Sequence, residues 1–197
     1  MNLGGVMDVH AAWRLGARAL PSPGWPRVVR EWGSTAAERA GTFACDGLVG
    51  EPDAVLFRAV GVHAPPVVVF RWLCQLRVAP YSYDRLDNAG RRSPQTLTPG
   101  LEQLAVGQRL MSVFTLTHFE PGRSLTVLSD GRVFGRVAIT YRVEEHGHDD
   151  SRLVVKLLIA HRRNGLLALP MRLLLAPADL VMMRRQLLNL KGLAEGA

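Results

Sequence analysis

The stretch VFGRVAITYRVEEHGHDDSRLVVKLLIAH, running from Val133 to His161, decides the fold. Its first half places Val133, Val137, Ile139, Tyr141 and Val143 on one side and Arg136, Thr140, Arg142 and Glu144 on the other. Its second half places Leu153, Val155, Leu157, Ile159 and His161 together, opposite Arg152, Val154 and Lys156. A period of two with one apolar side is the pattern of a half-buried strand. The separator Glu145–Asp150 consists of turn-forming and charged residues. A connection this short joins antiparallel neighbours, because parallel strands need a crossover of a dozen or more residues. Strands are therefore predicted at Val133–Glu144 and Arg152–His161.

Upstream, Arg109–Phe119 and Ser124–Ser129 read as two more strands, separated by Glu120-Pro-Gly-Arg123 and followed by Asp130-Gly131. Val55–Val62 reads as the first strand of the sheet. It ends at Ala64-Pro65-Pro66, and a helix follows over Val67–Leu76, since proline is well suited to a first helical position. Pro80–Asp84 is a short strand candidate that would set Tyr81 and Tyr83 on one side. Residues 85–107 are rich in loop formers, with a helical turn expected at Leu101–Leu104.

Downstream, Leu166, Leu169, Leu173, Ala176, Leu180, Met183, Leu187, Leu190 and Ala194 recur at alternating intervals of three and four residues. Leu167, Leu174, Val181 and Leu188 widen this stripe, while Arg172, Asp179, Arg185, Gln186 and Asn189 fall off it. The spacing predicts a long amphipathic helix that covers the apolar side of the sheet. Pro170 and Pro177 are expected to kink or split it. The class is α+β.

The 197 residues accommodate one domain, taken as 51–197, behind an N-terminal extension at 1–50. The extension is punctuated by Pro21, Pro23, Gly24 and Pro26, with short helices expected around Val9–Leu20 and Thr35–Ala40, the second capped by Ser34. The net charge of +7 sits almost wholly in residues 151–197, where six Arg and two Lys face two acidic residues. No run of five like charges and no basic segment interleaved with aromatics occurs, so a nucleic-acid partner is not expected. The two cysteines, Cys45 and Cys74, form no CxxC pair, and Cys74 reads as a buried small hydrophobe. Met1–Met7 lacks the basic residues of a secretory leader, and Leu166–Met183 is broken by two prolines and two charges. A cytoplasmic location is expected.

The order of strand, helix, excursion, antiparallel strands and long C-terminal helix resembles the START and polyketide-cyclase superfamily (SRPBCC). The Ala64-Pro-Pro-Val-Val-Val-Phe-Arg-Trp-Leu73 run looks like that family's first strand-to-helix junction. Pro80-Tyr-Ser-Tyr-Asp-Arg-Leu-Asp-Asn88, Trp32-Gly-Ser-Thr35 and Val106-Gly-Gln-Arg109 resemble stretches of one uncharacterised bacterial branch. That branch usually carries Trp-Leu-Glu-Asn where this chain has Arg85-Leu86-Asp87-Asn88. The resemblance spans roughly residues 28–196. It implies a helix-grip fold, in which a curved antiparallel sheet of six or seven strands wraps around the C-terminal helix and leaves an apolar cavity.

No phosphate loop, nucleophile elbow, HExxH or dinucleotide fingerprint is present, and no cofactor is expected. His146, His148, Asp149 and Asp150 carry metal-type donors but lie in a turn and read as solvated, so no metal site is assigned. Asp84 and Asp87 read as turn and loop anchors. Candidate ligand contacts in the expected cavity are Tyr81, Tyr83, His118, Tyr141, His161, Leu173, Leu180 and Met183. The expected role is binding or transport of a small apolar molecule or lipid. The alternatives are a cyclase or dehydratase type of enzyme, and a protein whose basic C-terminal quarter meets an anionic membrane surface or an acidic partner.

Overall fold

A computed structural model describes residues 24–131, 135–147, 149–160 and 168–197, the last from Leu173 onward at side-chain level. The expected helix at Val9–Leu20 lies outside the described residues, as do Val133, His148, His161, Leu166 and Leu167. The elements are α1 (Arg27–Glu31), α2 (Ala36–Ala40), β1 (Ala54–Val62), α3 (Pro66–Cys74), α4 (Asp84–Asp87), β2 (Arg109–Leu110), β3 (Phe114–Glu120), β4 (Ser124–Ser129), β5 (Arg136–Glu145), β6 (Ser151–Ala160) and α5 (Ala168–Glu195). The six strands form one antiparallel sheet in the order β1-β6-β5-β4-β3-β2. The long helix α5 packs on it, against β1 and α3, which makes the architecture helix-grip α+β.

The alternation read in β5 and β6 holds. Val137, Ile139, Tyr141 and Val143 face the helix beside Leu153, Val155, Leu157 and Ile159, with Tyr141 opposite Val155 and Ile139 opposite Leu157. The other face is not simply wet. Val154, Leu158 and Ala138 are buried there with Phe57 beneath Phe43, Cys45 and Val49 of the segment that precedes β1. Cys45 N donates to Thr140 Oγ1 at 2.9 Å, and Phe43 lies under the Arg142 guanidinium at 4.1 Å. Residues 43–49 thus bring a second apolar layer to the sheet.

Four local expectations are corrected. Arg109–Phe119 is not one strand. Met111 and Ser112 have φ of +47° and +62°, and the chain turns back there so that β2 pairs with β3. Pro80–Asp84 is not a strand either, because Tyr81 has a φ of +55° and the one-turn helix α4 follows. Thr35 rather than Ser34 caps α2, and Glu38 returns a side-chain bond to the Thr35 N–H. Of the kink or split expected at the prolines, the split does not occur, since helix α5 runs continuously through Pro177.

Candidate functional site

Between the sheet and the first half of α5 lies a cavity of about 350 Å³. Its floor is Val137, Ile139 and Tyr141 of β5 with Leu157 and Ile159 of β6. Its roof is Leu175, Ala178, Asp179, Met182, Met183 and Gln186 of α5. Met111, Val113 and Phe114 of the β2–β3 turn close one rim, and Pro80, Ser82 and Asp87 another. The sheet's curvature keeps these walls apart while the second half of α5 seats Leu187, Leu190 and Ala194 firmly in the core.

Polar groups enter this apolar space at few points. Tyr141 is wholly buried, and its hydroxyl donates to Gln186 Oε1 at 2.8 Å. Gln186 Nε2 donates to the Pro80 carbonyl at 2.6 Å. The thioethers of Met183 and Met111 lie 3.8 and 4.0 Å from the Tyr141 oxygen. Burial, and then the Asp179 charge, push the Tyr141 phenol well above its ordinary range. The phenol is neutral.

Asp179 brings the second polar group. Its Oδ2 accepts from Arg58 Nη2 at 2.8 Å. Arg58 is 0% exposed, on the helix-facing side of β1, and also donates to the Phe57 carbonyl at 2.8 Å. Burial raises the Asp179 pKa to about 6, against the opposing pull of Arg58. At the rim, Ser82 donates to Asp87 Oδ2, while Asp87 Oδ1 is buried with no partner.

The cavity gathers Tyr141 and Met183 from the residues expected to line it. It does not gather the others. Tyr81 is buried edge-on to Trp72, with centroids 6.1 Å apart, and lines a separate pocket with Asp84, Ser93, Arg185 and Asn189. Tyr83 is 40% exposed, because the bend at Tyr81 sends the two rings apart. His118 is turned outward by a β-bulge. Leu116 pairs with inward Val127, but the register shifts so that His118 pairs with Thr126 and points to solvent near Glu120. Leu173 is 47% exposed, and Leu180 is half-buried outside the lining. His161 lies outside the described residues.

Asp179, Gln186 and Arg58 were missed. The first two fall off the apolar stripe, which placed them on the solvent side of α5. The only sequence signal was an arginine at an inward register position of an otherwise apolar strand. Asp84 anchors a loop as expected, accepting from Ser93 N at 2.8 Å and Ser93 Oγ at 2.6 Å. Among the described residues no group of three or more metal-type ligands is assembled, and no helix is long and apolar enough to cross a membrane. Part of the basic excess is internally committed, since Arg152, Lys156 and Lys191 pair with Glu38, Asp46 and Glu195.

No family model matches the chain, and neither does any curated protein. Solved structures are similar to it. A Mesorhizobium loti protein is 14% identical over 73% of this chain and 98% of its own, with a TM-score of 0.46. The Zhui aromatase/cyclase from Streptomyces sp. R1128 is 19% identical over 72% of this chain and 93% of its own, with a TM-score of 0.47. A Helicobacter pylori protein is 14% identical over 78% of this chain and 95% of its own, also with a TM-score of 0.47. At these identities and scores the similarity assigns no activity to this chain.

Proposed function

We propose that this chain is an SRPBCC-type binding protein that holds a small hydrophobic molecule between its sheet and α5. The observation that carries this reading is the cavity itself, about 350 Å³ with mainly aliphatic and thioether walls and a few convergent polar groups. Ligand sites typically occupy about 300–1,000 Å³ and have this composition. The cavity lies at the small end of that range, which favours a compact ligand over a two-chain lipid.

The test is mass spectrometry of the freshly purified protein, native against denatured. A stoichiometric adduct that dissociates on denaturation is expected. Ala178→Trp, at an exposed helical position on the cavity wall, is expected to abolish the adduct while leaving the fold intact. An adduct that persists in that variant refutes the site.

A second reading, an enzyme of cyclase or dehydratase type, is favoured by one observation. Tyr141, Gln186 and Asp179 converge on a single apolar space, and the Asp179 pKa of about 6 suits proton transfer near neutrality. Asp179→Asn would then lose turnover of a bound substrate, typically by about 10²–10⁴-fold, while retaining binding. For a pure binding protein no turnover is found to lose.

A further inference from the structure

We infer that the cavity takes a neutral hydroxyl-bearing molecule, an alcohol or a phenol, and rejects carboxylates; this rests on the reading of the cavity as a ligand site. The inference comes from counting which hydrogen-bonding atoms the protein has left over.

The Pro80 carbonyl can only accept, so the Gln186 amide must turn its nitrogen toward it, at 2.6 Å. The same nitrogen also meets Met111 Sδ at 3.4 Å. The amide oxygen therefore faces Tyr141 and takes that phenol's single proton at 2.8 Å. What Tyr141 keeps for a ligand is lone pairs.

Asp179 uses Oδ2 for Arg58 and keeps Oδ1. Arg58 is wholly buried and is not part of the cavity wall, so its unused Nε–H does not reach a ligand. Ser82 spends its hydroxyl proton on Asp87 Oδ2, which leaves the buried, unpartnered Oδ1 of Asp87. Among the described residues, every side-chain donor on the wall is committed within the protein, and every spare side-chain polar atom is an acceptor.

A ligand hydroxyl supplies the missing donor. A ligand carboxylate adds acceptors to acceptors, beside Asp87 and beside an Asp179 whose cationic partner, Arg58, is not on the wall. It also leaves water without a donor to replace those it loses. An ether of the same shape fills the space but leaves the acceptors unpaired.

Three probes of one shape separate these cases: 2-naphthol, 2-methoxynaphthalene and 2-naphthoate. Each is titrated into the full chain by calorimetry at neutral pH, and again into Ala178→Trp. The expected result is that 2-naphthol binds about ten-fold or more tighter than either of the others, the size of one buried hydrogen bond to a charged or polar acceptor, and that Ala178→Trp loses it. Equal binding of 2-methoxynaphthalene, or binding of 2-naphthoate as tight as that of 2-naphthol, overturns the inference and leaves the cavity as a ligand site. Binding that survives Ala178→Trp also overturns it, because the probe then sits elsewhere. If none of the three binds, the ligand-site reading itself falls and takes the inference with it.

Discussion

Arg58 on β1 and Asp179 on α5 are 121 residues apart in sequence and 2.8 Å apart in space, with the guanidinium entirely removed from water. The pair clamps the edge strand to the cavity end of the helix. Removing two charges from water is costly, and breaking the pair leaves one of them stranded. Arg58→Met or Asp179→Leu alone should each destabilise the protein by about 3–5 kcal/mol, whereas the double variant should lose far less. Chemical denaturation of the four proteins in this cycle measures it. Additive losses would show that the pair is not coupled.

The same pair sets a pH dependence of unusual sign. Burial raises the Asp179 pKa from 3.8 to about 6, so the folded chain binds this proton more tightly than the unfolded chain does. The contribution of this group favours folding most in acid, and it declines as pH rises from about 4 to about 6. Glu38 runs the other way. Burial works to raise its pKa, but hydrogen bonds from Arg152 and Thr35 outweigh this and hold it below 4.5. Its stabilisation is present above 4.5 and is lost as pH falls through the folded value. The stability difference between the wild type and the double variant Arg58→Met/Asp179→Leu isolates Asp179. That difference should shrink from about pH 4 to about pH 6. A flat difference would mean that the carboxylate stays ionised throughout.

Tyr141 and Gln186 satisfy one another inside the cavity wall. Tyr141→Phe removes the donor and leaves Gln186 Oε1 buried and unpaired, at a cost of about 1–3 kcal/mol. Following it with Gln186→Leu removes the stranded oxygen but also the bond to the Pro80 carbonyl, so the recovery should be partial. Thermal unfolding of both variants checks this, and a silent Tyr141→Phe would refute the geometry.

Gly33 has a φ of +74°, and a Cβ there would lie 2.0 Å from the Ala59 carbonyl oxygen. The close approach lets the Trp32 carbonyl accept from Ala59 N at 3.0 Å along the otherwise open edge of β1. The Gly33 carbonyl in turn accepts from Arg152 at 2.9 Å. Gly33→Ala should cost about 1–3 kcal/mol for the left-handed backbone alone, with the clash in addition. Limited proteolysis should then cut first between Trp25 and Gly50. Unchanged cleavage and stability would show that this approach is not needed.

Much of the fold was legible along the chain. Period-two alternation in β5 and β6 needs only near neighbours to be recognised, and short polar separators dictate antiparallel pairing. The three-and-four spacing of α5 likewise identified a covering helix, and Pro66 marked the start of α3. The inward direction of Tyr141 and Met183 was legible because each lies on an apolar side that had to be buried.

What failed was whatever depended on a turn or on a partner distant in sequence. A single bulge at Thr117 reversed the side on which His118 lies, and one positive φ at Tyr81 separated Tyr81 from Tyr83. Hydropathy put Asp179 and Gln186 in solvent because a polar side chain alone carries no sign of what will satisfy it. Arg58, Tyr141 and the Pro80 carbonyl do so, from three separate parts of the chain. Periodicity is a local property, so the residue pattern alone specifies an antiparallel sheet and a helix that covers it. That their apolar faces leave a gap, and that the side-chain donors around it are already committed, follows from distances between segments that the linear pattern does not encode.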